Sequence, residues 1–348
     1  MKKETWNAVE RMREQKIPGL SMAFIESGRL SRHVCLGELA MGDGQPVRPD
    51  TMFNACSISK FAAAMLALVL VEEGVLGLDG EVSDHLVAWR IPEHPMYDTR
   101  KVTLRRLLSH QAGFADPKGS FSHYAREHGA PFMAELLGGT TYYRKEPAGL
   151  TTEPGSRFIY SDTGYCILQL MIEDVTGESY DDLMREKIFE PLHMNHSRIV
   201  TSHSEILPGS AIGHSKDGER LHMPYTVYPY PAAAGLWATP SDLVLLLTEL
   251  MASLRGEGGI GISARTASEM IVPQGCFQWT GLGVFLDSFN GQLEISSLGW
   301  GEGYQCVLIA YPDTGKGAVW MMNADPGVHQ SQSLLGEAAR QWQEGQFD

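Results

Sequence analysis

Residues 51–74, TMFNACSISKFAAAMLALVLVEEG, place Ser57 three residues before Lys60, at the start of a long apolar run. If the run is helical, residues three apart share a face, so the Ser57 hydroxyl and the Lys60 amine point the same way. A serine hydroxyl reacts poorly unless a neighbouring base activates it. A lysine is such a base only where burial or nearby positive charge lowers its pKa. The structural alternative is a serine cap followed by a surface lysine.

The apolar run itself predicts a buried helix. Its pattern indicates a helix over Phe61–Glu73 that ends at Gly74. Because apolar side chains lie on nearly every side of this helix, we expect it in the middle of the molecule.

Composition limits the classes of function. The chain of 348 residues is 43% apolar and 20% charged, enough for one large domain or two interleaved ones with a sizeable core. The net charge is −14 and the basic residues form no run. Nucleic acid and anionic membranes are therefore not expected partners.

No segment of the sequence has the pattern of an export signal or a membrane span. The start of the chain lacks the apolar core of a signal peptide, and Phe61–Val71 is too short to cross a bilayer. The five cysteines are scattered and lack metal-ligand spacing. We predict a cytoplasmic protein without metal or cofactor, although a precursor that had lost its leader would look the same. The sequence does not indicate an oligomeric state.

Strand patterns lie at both ends of the chain, and helix patterns lie mainly between them. Strands are predicted at Leu20–Ile25, around Val34, and at Trp279–Leu286, Gln292–Ser297, Tyr304–Tyr311 and Gly317–Asn323. Further helices are predicted at 4–15, 102–108, 163–176, 180–189, 242–254 and 331–343. We expect a mixed α/β (α+β) fold, in which an antiparallel sheet built from both chain ends is flanked by helices. Residues 1–78 and 201–348 would form this sheet domain, and residues 79–200 an inserted, mainly helical domain.

A second group of polar residues precedes one of the predicted helices. In residues 153–165, EPGSRFIYSDTGY, Ser161 or Asp162 is a natural helix cap. A turn and a cap would explain the segment on structural grounds alone. The functional interpretation is that Tyr160 shares a proton network with the serine–lysine pair, since a neighbouring ammonium favours the phenolate form of a tyrosine. Asp162 would then hold Lys60 in place by a hydrogen bond.

Taken in order, these motifs resemble those of the serine β-lactamase and penicillin-binding protein superfamily. The branch that the chain resembles contains the class C β-lactamases, the D-aminopeptidases and the family VIII esterases. The likeness covers nearly the whole chain, in the runs IPGLSMAF, DTMF, SISK, EGVLGLD, VTLRRLLSHQAGF, YSDTGY and AGLWATPSDL between Ile17 and Leu243. The family's β-lactamase/transpeptidase-like fold agrees with the sheet predicted from both chain ends.

The resemblance implies roles for four residues. Ser57 would be the nucleophile, Lys60 its partner in proton transfer, and Tyr160 the general base and acid. Asp162 stands where the family usually has asparagine, and an ionised aspartate accepts hydrogen bonds but cannot donate one. It would lock Lys60 as a cation and leave more of the base role to Tyr160.

The family's third motif is lysine or histidine, then a small residue, then glycine, on a strand beside the nucleophile. Aligning backward from residues 303–312 assigns Ser297-Leu298-Gly299 to this motif, so a neutral serine replaces the usual cation. That cation helps to bind a substrate carboxylate, and its absence argues against selectivity for penicillins or D-Ala-D-Ala. A shift of three residues, which makes Trp300-Gly301 the motif, stays open.

The register of the third motif also decides the candidate oxyanion hole. In the Ser297 register, the backbone N–H groups of Ser57 and Trp300 would face the developing negative charge. In the shifted register, Gly303 would replace Trp300.

Four further residues are ambiguous. Trp237 and Tyr304 are either core aromatics or walls of the cleft, and Tyr304 is the better candidate for a substrate contact. Glu302 either faces the pocket or lies in a solvated turn. His110 is assigned to ordering a loop rather than to a catalytic triad, since a triad is identified by its geometry.

We therefore expect a serine hydrolase that forms an acyl-enzyme with a small ester or a peptide-like amide, as a carboxylesterase or peptidase would. A β-lactamase or a D-Ala-D-Ala carboxypeptidase is the alternative within the same class. A non-catalytic protein of the same fold that binds a ligand or peptide is the alternative from another class.

Overall fold

The computed structural model describes residues 6–346, which form nine β-strands and ten α-helices. The strands are β1 (Gly19–Glu26), β2 (Arg29–Gly37), β3 (Phe53–Asn54), β4 (Arg198–Ile199), β5 (Leu236–Ala238), β6 (Phe285–Phe289), β7 (Gln292–Gly301), β8 (Tyr304–Tyr311) and β9 (Lys316–Met322). The helices are α1 (Ala8–Glu14), α2 (Ser59–Glu72), α3 (Leu104–Leu108), α4 (Met133–Leu137), α5 (Asp162–Thr176), α6 (Tyr180–Met184), α7 (Pro231–Ala234), α8 (Pro240–Leu254), α9 (Ala264–Met270) and α10 (Leu334–Gln343).

Strands from both ends of the chain pair in one antiparallel sheet of order β2-β1-β9-β8-β7-β6. A second, short sheet has the order β3-β5-β4. The predicted fold class, with a sheet made from both chain ends, is therefore confirmed. Residues 79–200 contribute no strand to the larger sheet, but their treatment as a separate domain stays a prediction.

Alternate side chains of the central strands face two helical layers. Leu20, Met22 and Phe24 of β1 join the apolar cluster that includes residues of α10. Ala23 and Ile25 point the other way, into the larger cluster around α2. This period of two is what a strand covered on both faces requires, so the sheet is the middle layer of the molecule.

Helix α2, which the apolar run predicted, is almost completely buried. Residues 59–70 are all buried, including Lys60, and the chain turns away at Gly74 with φ +73°. The predicted central helix is confirmed and begins two residues earlier than expected. None of the helices within residues 6–346 combines the length and the apolar character that a bilayer span needs.

A carboxylate fixes the start of helix α5, immediately after Tyr160. Ser161 is the N-cap and its hydroxyl accepts the N–H of Gly164. Asp116 accepts hydrogen bonds from the N–H groups of Asp162 and Thr163 and from the hydroxyls of Ser161 and Thr163. A negative charge at a helix N-terminus also interacts favourably with the helix dipole. Asp116 therefore anchors the segment that carries Tyr160 and Asp162.

Two predicted elements differ from the structure. The strand predicted at Trp279–Leu286 begins only at Phe285, because residues before it bend against α2. At Gly283, φ is +72° and a Cβ would lie 2.5 Å from the Cβ of Ala64, so an extended strand with a larger residue does not fit. The helix predicted at 180–189 is α6 followed by a π-helical turn, Arg185–Phe189.

Replacing Asp116 by alanine should destabilise the fold. We expect Asp116→Ala to lower the free energy of unfolding by about 2 kcal/mol, since several donors at the start of α5 lose their acceptor. Urea unfolding followed by circular dichroism measures this change. Asp313→Ala, an exposed position between β8 and β9, is the control and should change the value little. Equal stability of the two variants would contradict the anchoring role.

Candidate active site

Ser57 lies in a short 3-10 turn, Cys56–Ile58, directly ahead of α2. Cys56 adopts φ +49°, a strained conformation for a residue other than glycine. Two hydrogen bonds hold it: Asn54 Oδ1 accepts the Cys56 N–H at 2.8 Å, and the Ser59 hydroxyl donates to the Cys56 carbonyl at 2.6 Å. The turn that presents Ser57 is therefore fixed by its neighbours in the sequence.

Lys60 is only 2% exposed, and its ammonium has three acceptors. Nζ lies 2.6 Å from Asp162 Oδ1, 2.8 Å from the carbonyl oxygen of Ala233 and 3.2 Å from Ser57 Oγ. The ammonium thus donates hydrogen bonds to Ser57 and Ala233 and forms an ion pair with Asp162. The structure brings together Ser57, Lys60 and Asp162, as predicted from their spacing and from the resemblance.

The charge state of Lys60 follows from its surroundings. Burial by itself would lower the pKa of Lys60, but the Asp162 carboxylate and Tyr160 outweigh burial and raise that pKa well above its usual value. Lys60 is therefore a cation at neutral pH. It donates a hydrogen bond to Ser57 and cannot accept its proton in this state.

Tyr160 lies across the cleft on the loop that leads into α5. Its ring is 5.0 Å from Lys60 Nζ and stacks on His110 with centroids 4.2 Å apart. His110 adopts φ +58°, and its Nδ1 accepts the N–H of Ser161 at 3.1 Å. Burial, with a smaller effect of the Lys60 charge, keeps the pKa of His110 well below its ordinary value. His110 is thus a neutral support for the Tyr160 loop, in agreement with the loop-ordering role predicted for it.

The predicted catalytic residues line a cleft whose enclosed volume is only about 20 Å³. Its described lining consists of Ser57, Lys60, Leu108, His110, Tyr160, Thr280, Gly283, Val284, Phe285, Ser297 and Leu298. Ser297 is buried, with 5% of its surface exposed, and it contributes to this lining. Among the described lining residues, Lys60 is the lysine and no arginine is present. Leu108, Val284 and Phe285 supply apolar surface to this lining.

Strand β7 passes directly over the turn that carries Ser57. A Cβ at Gly299 would lie 2.3 Å from the Ala55 carbonyl oxygen, so only glycine permits this approach. Gly301, two residues on, lies over Cys56 and against Tyr228. Ser297, Gly299 and Gly301 share the face of β7 toward the nucleophile, since alternate residues of a strand face the same way.

The side chain of Trp300 points to the other face, where its Nε1 donates to Asp325 Oδ1 at 2.8 Å. Its backbone has a different orientation. Gly301 and Tyr304 face each other across a two-residue turn and form a hydrogen-bonded pair. Hydrogen-bonded and non-hydrogen-bonded pairs alternate along an antiparallel ladder, so the next pair, Trp300 and Gln305, is not hydrogen-bonded and the Trp300 N–H points away from β8. Strand β6 pairs with β7 only as far as Ser296. The Trp300 N–H therefore lies on an edge of β7 that β6 does not cover, and this geometry favours the Ser297 register of the third motif.

Tyr304 and Trp237 belong to the core, contrary to the prediction that Tyr304 contacts substrate. Both are fully buried, with ring centroids 5.5 Å apart. The Tyr304 hydroxyl donates to the Ala211 carbonyl at 2.8 Å, so a residue that follows the turn points inward. Glu302 lies at the exposed turn between β7 and β8, with Oε2 3.3 Å from Nδ1 of His123.

Cys56, next to Ser57, does not compete with it as a nucleophile. Cys56 is fully buried, and burial raises the pKa of its thiol far above the ordinary range. The thiol stays protonated. Within residues 6–346, no group of three or more histidine, cysteine or carboxylate side chains is arranged to hold a metal ion.

Sequence reasoning missed three parts of the site. Asn54 supports the strained Cys56, Asp116 anchors the start of α5, and the carbonyl of Ala233 fixes Lys60. Asn54 stands three residues before Ser57, a spacing that could have suggested a supporting role. Asp116 and Ala233 are distant in sequence from the residues they contact, and no single-sequence signal marks them.

Comparisons with known proteins agree with the fold. The model of the beta-lactamase family matches residues 7–340. The chain is 32% identical over 184 residues to penicillin-binding protein 4 of Amycolatopsis lactamdurans, covering 53% of this chain and 45% of the relative. It is 25% identical over 248 residues to the teichoic acid D-alanine hydrolase of Staphylococcus aureus, covering 70% of this chain and 57% of the relative.

A solved structure is similar over nearly the whole chain. The octameric penicillin-binding protein homologue from Pyrococcus abyssi superposes with a TM-score of 0.77 at 25% identity, covering 97% of this chain and 77% of that one. The chain thus spans about half the length of the two curated relatives and most of this structural one.

Removing the negative charge beside Lys60 should lower its pKa. In Asp162→Asn the opposing charge is gone, and burial, which favours the neutral amine, then dominates. Titration of the Lys60 ε-methylene signal by NMR, in protein labelled with ¹³C-lysine, measures the change. The exposed Lys145 is the internal reference. An unchanged Lys60 titration in the variant would contradict the dominance of Asp162.

Proposed function

Since the chain belongs to the beta-lactamase family, we propose that it is a serine hydrolase that forms an acyl-enzyme with a small ester or a peptide-like amide. The observation that carries the proposal is the hydrogen bond of 3.2 Å from the buried Lys60 ammonium to Ser57 Oγ, in a cleft that Tyr160 also lines. The Staphylococcus aureus relative is a hydrolase by name, which supports hydrolysis rather than binding alone.

The proton of Ser57 goes to Tyr160 in this mechanism. Lys60 is held as a cation by Asp162 and has no free lone pair to accept a proton. Tyr160, 41% exposed and beside the ammonium, is the remaining titratable oxygen of the cleft. Tyr160 acts as general base when Ser57 attacks the carbonyl carbon, and it returns the proton to the leaving oxygen or nitrogen.

The negative charge of the tetrahedral intermediate collects at two backbone donors. We assign these donors to the amide N–H groups of Ser57 and Trp300, because β7 passes over the nucleophile turn at Gly299 and Gly301. Each donor of such a pair is worth about 3 kcal/mol in the transition state. A water molecule, deprotonated by Tyr160, then attacks the acyl-enzyme and releases the acid and free Ser57.

The cleft favours substrates that lack a carboxylate near the reacting carbonyl. Ser297 supplies a neutral hydroxyl where related enzymes have a cation, and Phe285 and Val284 line the same cleft. A small ester or a neutral amide is therefore a better substrate than a penicillin or a D-Ala-D-Ala peptide. Efficient β-lactam turnover or D-Ala-D-Ala cleavage is the second possibility, and a protein that only binds its ligand is the third.

Ser57 should be the site of covalent labelling. A fluorophosphonate probe should add one adduct to the wild type, seen by intact-protein mass spectrometry, and none to Ser57→Ala. Hydrolysis of p-nitrophenyl acetate should fall by about a thousandfold or more in that variant. In Tyr160→Phe the rate of p-nitrophenyl acetate hydrolysis should fall by about a hundredfold, because the general base is lost.

Tyr142→Phe is the control for Tyr160→Phe, since Tyr142 is similarly exposed. Its rate should match the wild type. An equal adduct on Ser57→Ala, or no adduct on the wild type, would exclude this mechanism and leave the binding protein. Fast nitrocefin turnover with inert esters would instead favour the β-lactamase.

A cation at position 297 should change selectivity toward carboxylates. We expect Ser297→Lys to raise the acylation rate by benzylpenicillin about tenfold relative to its methyl ester, the value of one charge-assisted hydrogen bond. Mass spectrometry of the acyl-enzyme measures both rates. Ser297→Met has a similar length without the charge, and its ratio should equal that of the wild type. If Ser297→Lys has the same ratio of acylation rates by benzylpenicillin and its methyl ester as the wild type, position 297 does not contact the carboxylate.

A further inference from the structure

Four aromatic rings form a partly exposed cluster at one rim of the cleft: Phe158, Phe277, Trp279 and Phe285, here named the rim cluster. The ring centroid of Trp279 lies 4.4 Å from that of Phe158, 6.0 Å from that of Phe277 and 6.1 Å from that of Phe285. None of the four belongs to the two apolar clusters of the described core. They pack on one another at the surface, so the core does not account for them.

The exposure of the rim cluster is unfavourable unless something covers it. Trp279 is 44% exposed, and the other three rings are partly exposed. Contiguous exposed apolar surface is rare on soluble proteins and commonly marks a binding site. Aromatic rings also contribute much contact area with few side-chain torsions to restrict on binding.

The rim cluster is continuous with the catalytic cleft at two points. Phe285 lines the cleft together with Ser57 and Ser297. At the other end, Phe158 contacts His110 with centroids 5.6 Å apart, and His110 stacks on Tyr160. Phe285 and His110 therefore join the rim cluster to the residues around Ser57.

Strand β7 divides the cleft into two sides. Its Ser297 end shares the cleft with Tyr160 and Phe285, whereas its Gly301 end lies against Tyr228. The proposed oxyanion donor, Trp300, stands between these ends. Tyr160 delivers the proton to the leaving group, so the leaving group lies on the side of Ser297 and the rim cluster.

We infer that the rim cluster is the leaving-group subsite and selects an uncharged aromatic alcohol or amine. This inference rests on the proposed function. In the reaction, the Ser57 oxygen bonds to the carbonyl carbon, the bond to the leaving oxygen or nitrogen breaks, and the Tyr160 proton goes to that atom. The aromatic alcohol or amine leaves from the rings, and water later releases the acid.

Methyl and benzyl acetate test the subsite, because they share the acyl group and their alcohols are of similar acidity. The wild type should have the larger kcat/KM for benzyl acetate. Trp279→Ala should lower kcat/KM for benzyl acetate about tenfold, mainly through KM, and leave methyl acetate within about twofold. Trp279→Phe keeps a ring and should retain most of the preference. Phe132→Ala removes an exposed aromatic side chain outside the cleft lining and should change neither substrate.

The acyl side provides the second comparison. Methyl phenylacetate and methyl acetate differ only in the acyl group, so their ratio should be the same in the wild type and Trp279→Ala. Suppose instead that Trp279→Ala changes the ratio of kcat/KM for methyl phenylacetate to that for methyl acetate, but keeps the preference for benzyl acetate. The subsite would then lie on the acyl side, and the inference would be overturned. Equal losses for all substrates would also overturn it, since Trp279 would then act on the fold.

Failure of the proposed function gives a different result. If Ser57→Ala hydrolyses the esters as fast as the wild type, or if the wild type neither hydrolyses an ester nor takes up the fluorophosphonate probe, the acyl-enzyme mechanism is wrong. The subsite is then tested by binding alone. Saturation-transfer NMR should show benzyl alcohol bound to Ser57→Ala, and the signal should be lost when Trp279→Ala is added. An equal signal in both proteins would exclude the subsite.

Discussion

The ion pair between the buried Lys60 and the partly exposed Asp162 is the interaction on which the site depends. Removing two opposite charges from water is costly, and a buried pair is tolerated only when its geometry is good and its remaining donors are used. Here the ammonium has three acceptors: the carboxylate, the carbonyl of Ala233 and the hydroxyl of Ser57. One electrostatic contact thus joins α2, α5 and α7 at the point where the nucleophile stands. It also sets the charge state of Lys60, from which the proposed roles of Ser57 and Tyr160 follow.

The fold supplies this interaction by bringing distant segments together. Asp116 fixes the start of α5, which orients Asp162, and His110 holds the adjoining Tyr160 loop. Strand β7 closes the site from the other side, where Gly299 allows it to pass against Ala55. The aromatic rim continues from this frame, so the residues that would select a substrate and those that would transform it share the same supports.

Much of this could be predicted from local patterns. The all-round apolar run identified α2 as a central helix, and paired strand patterns at both chain ends identified the sheet. Ser57, Lys60 and Tyr160 were found through short motifs and a family resemblance. Long-range contacts were not predictable: nothing in the sequence marks Asp116 as a partner of α5, or shows that Tyr304 turns inward. The strand predicted at Trp279 was wrong because its limit is set by the approach of Gly283 to α2, a tertiary contact.

The pairing of β1 with β9 has a consequence for biosynthesis. The turn bearing Ser57 lies in the first part of the chain, whereas β7 and its Trp300 amide lie in the last part. A nascent chain therefore exposes the first hairpin and the apolar α2 while their partners are still untranslated. Such long-range pairing makes folding slow and leaves apolar surface open to aggregation. A growing chain stopped before residue 292 lacks the strand that closes the cleft, so the proposed catalysis requires β7 to have been translated.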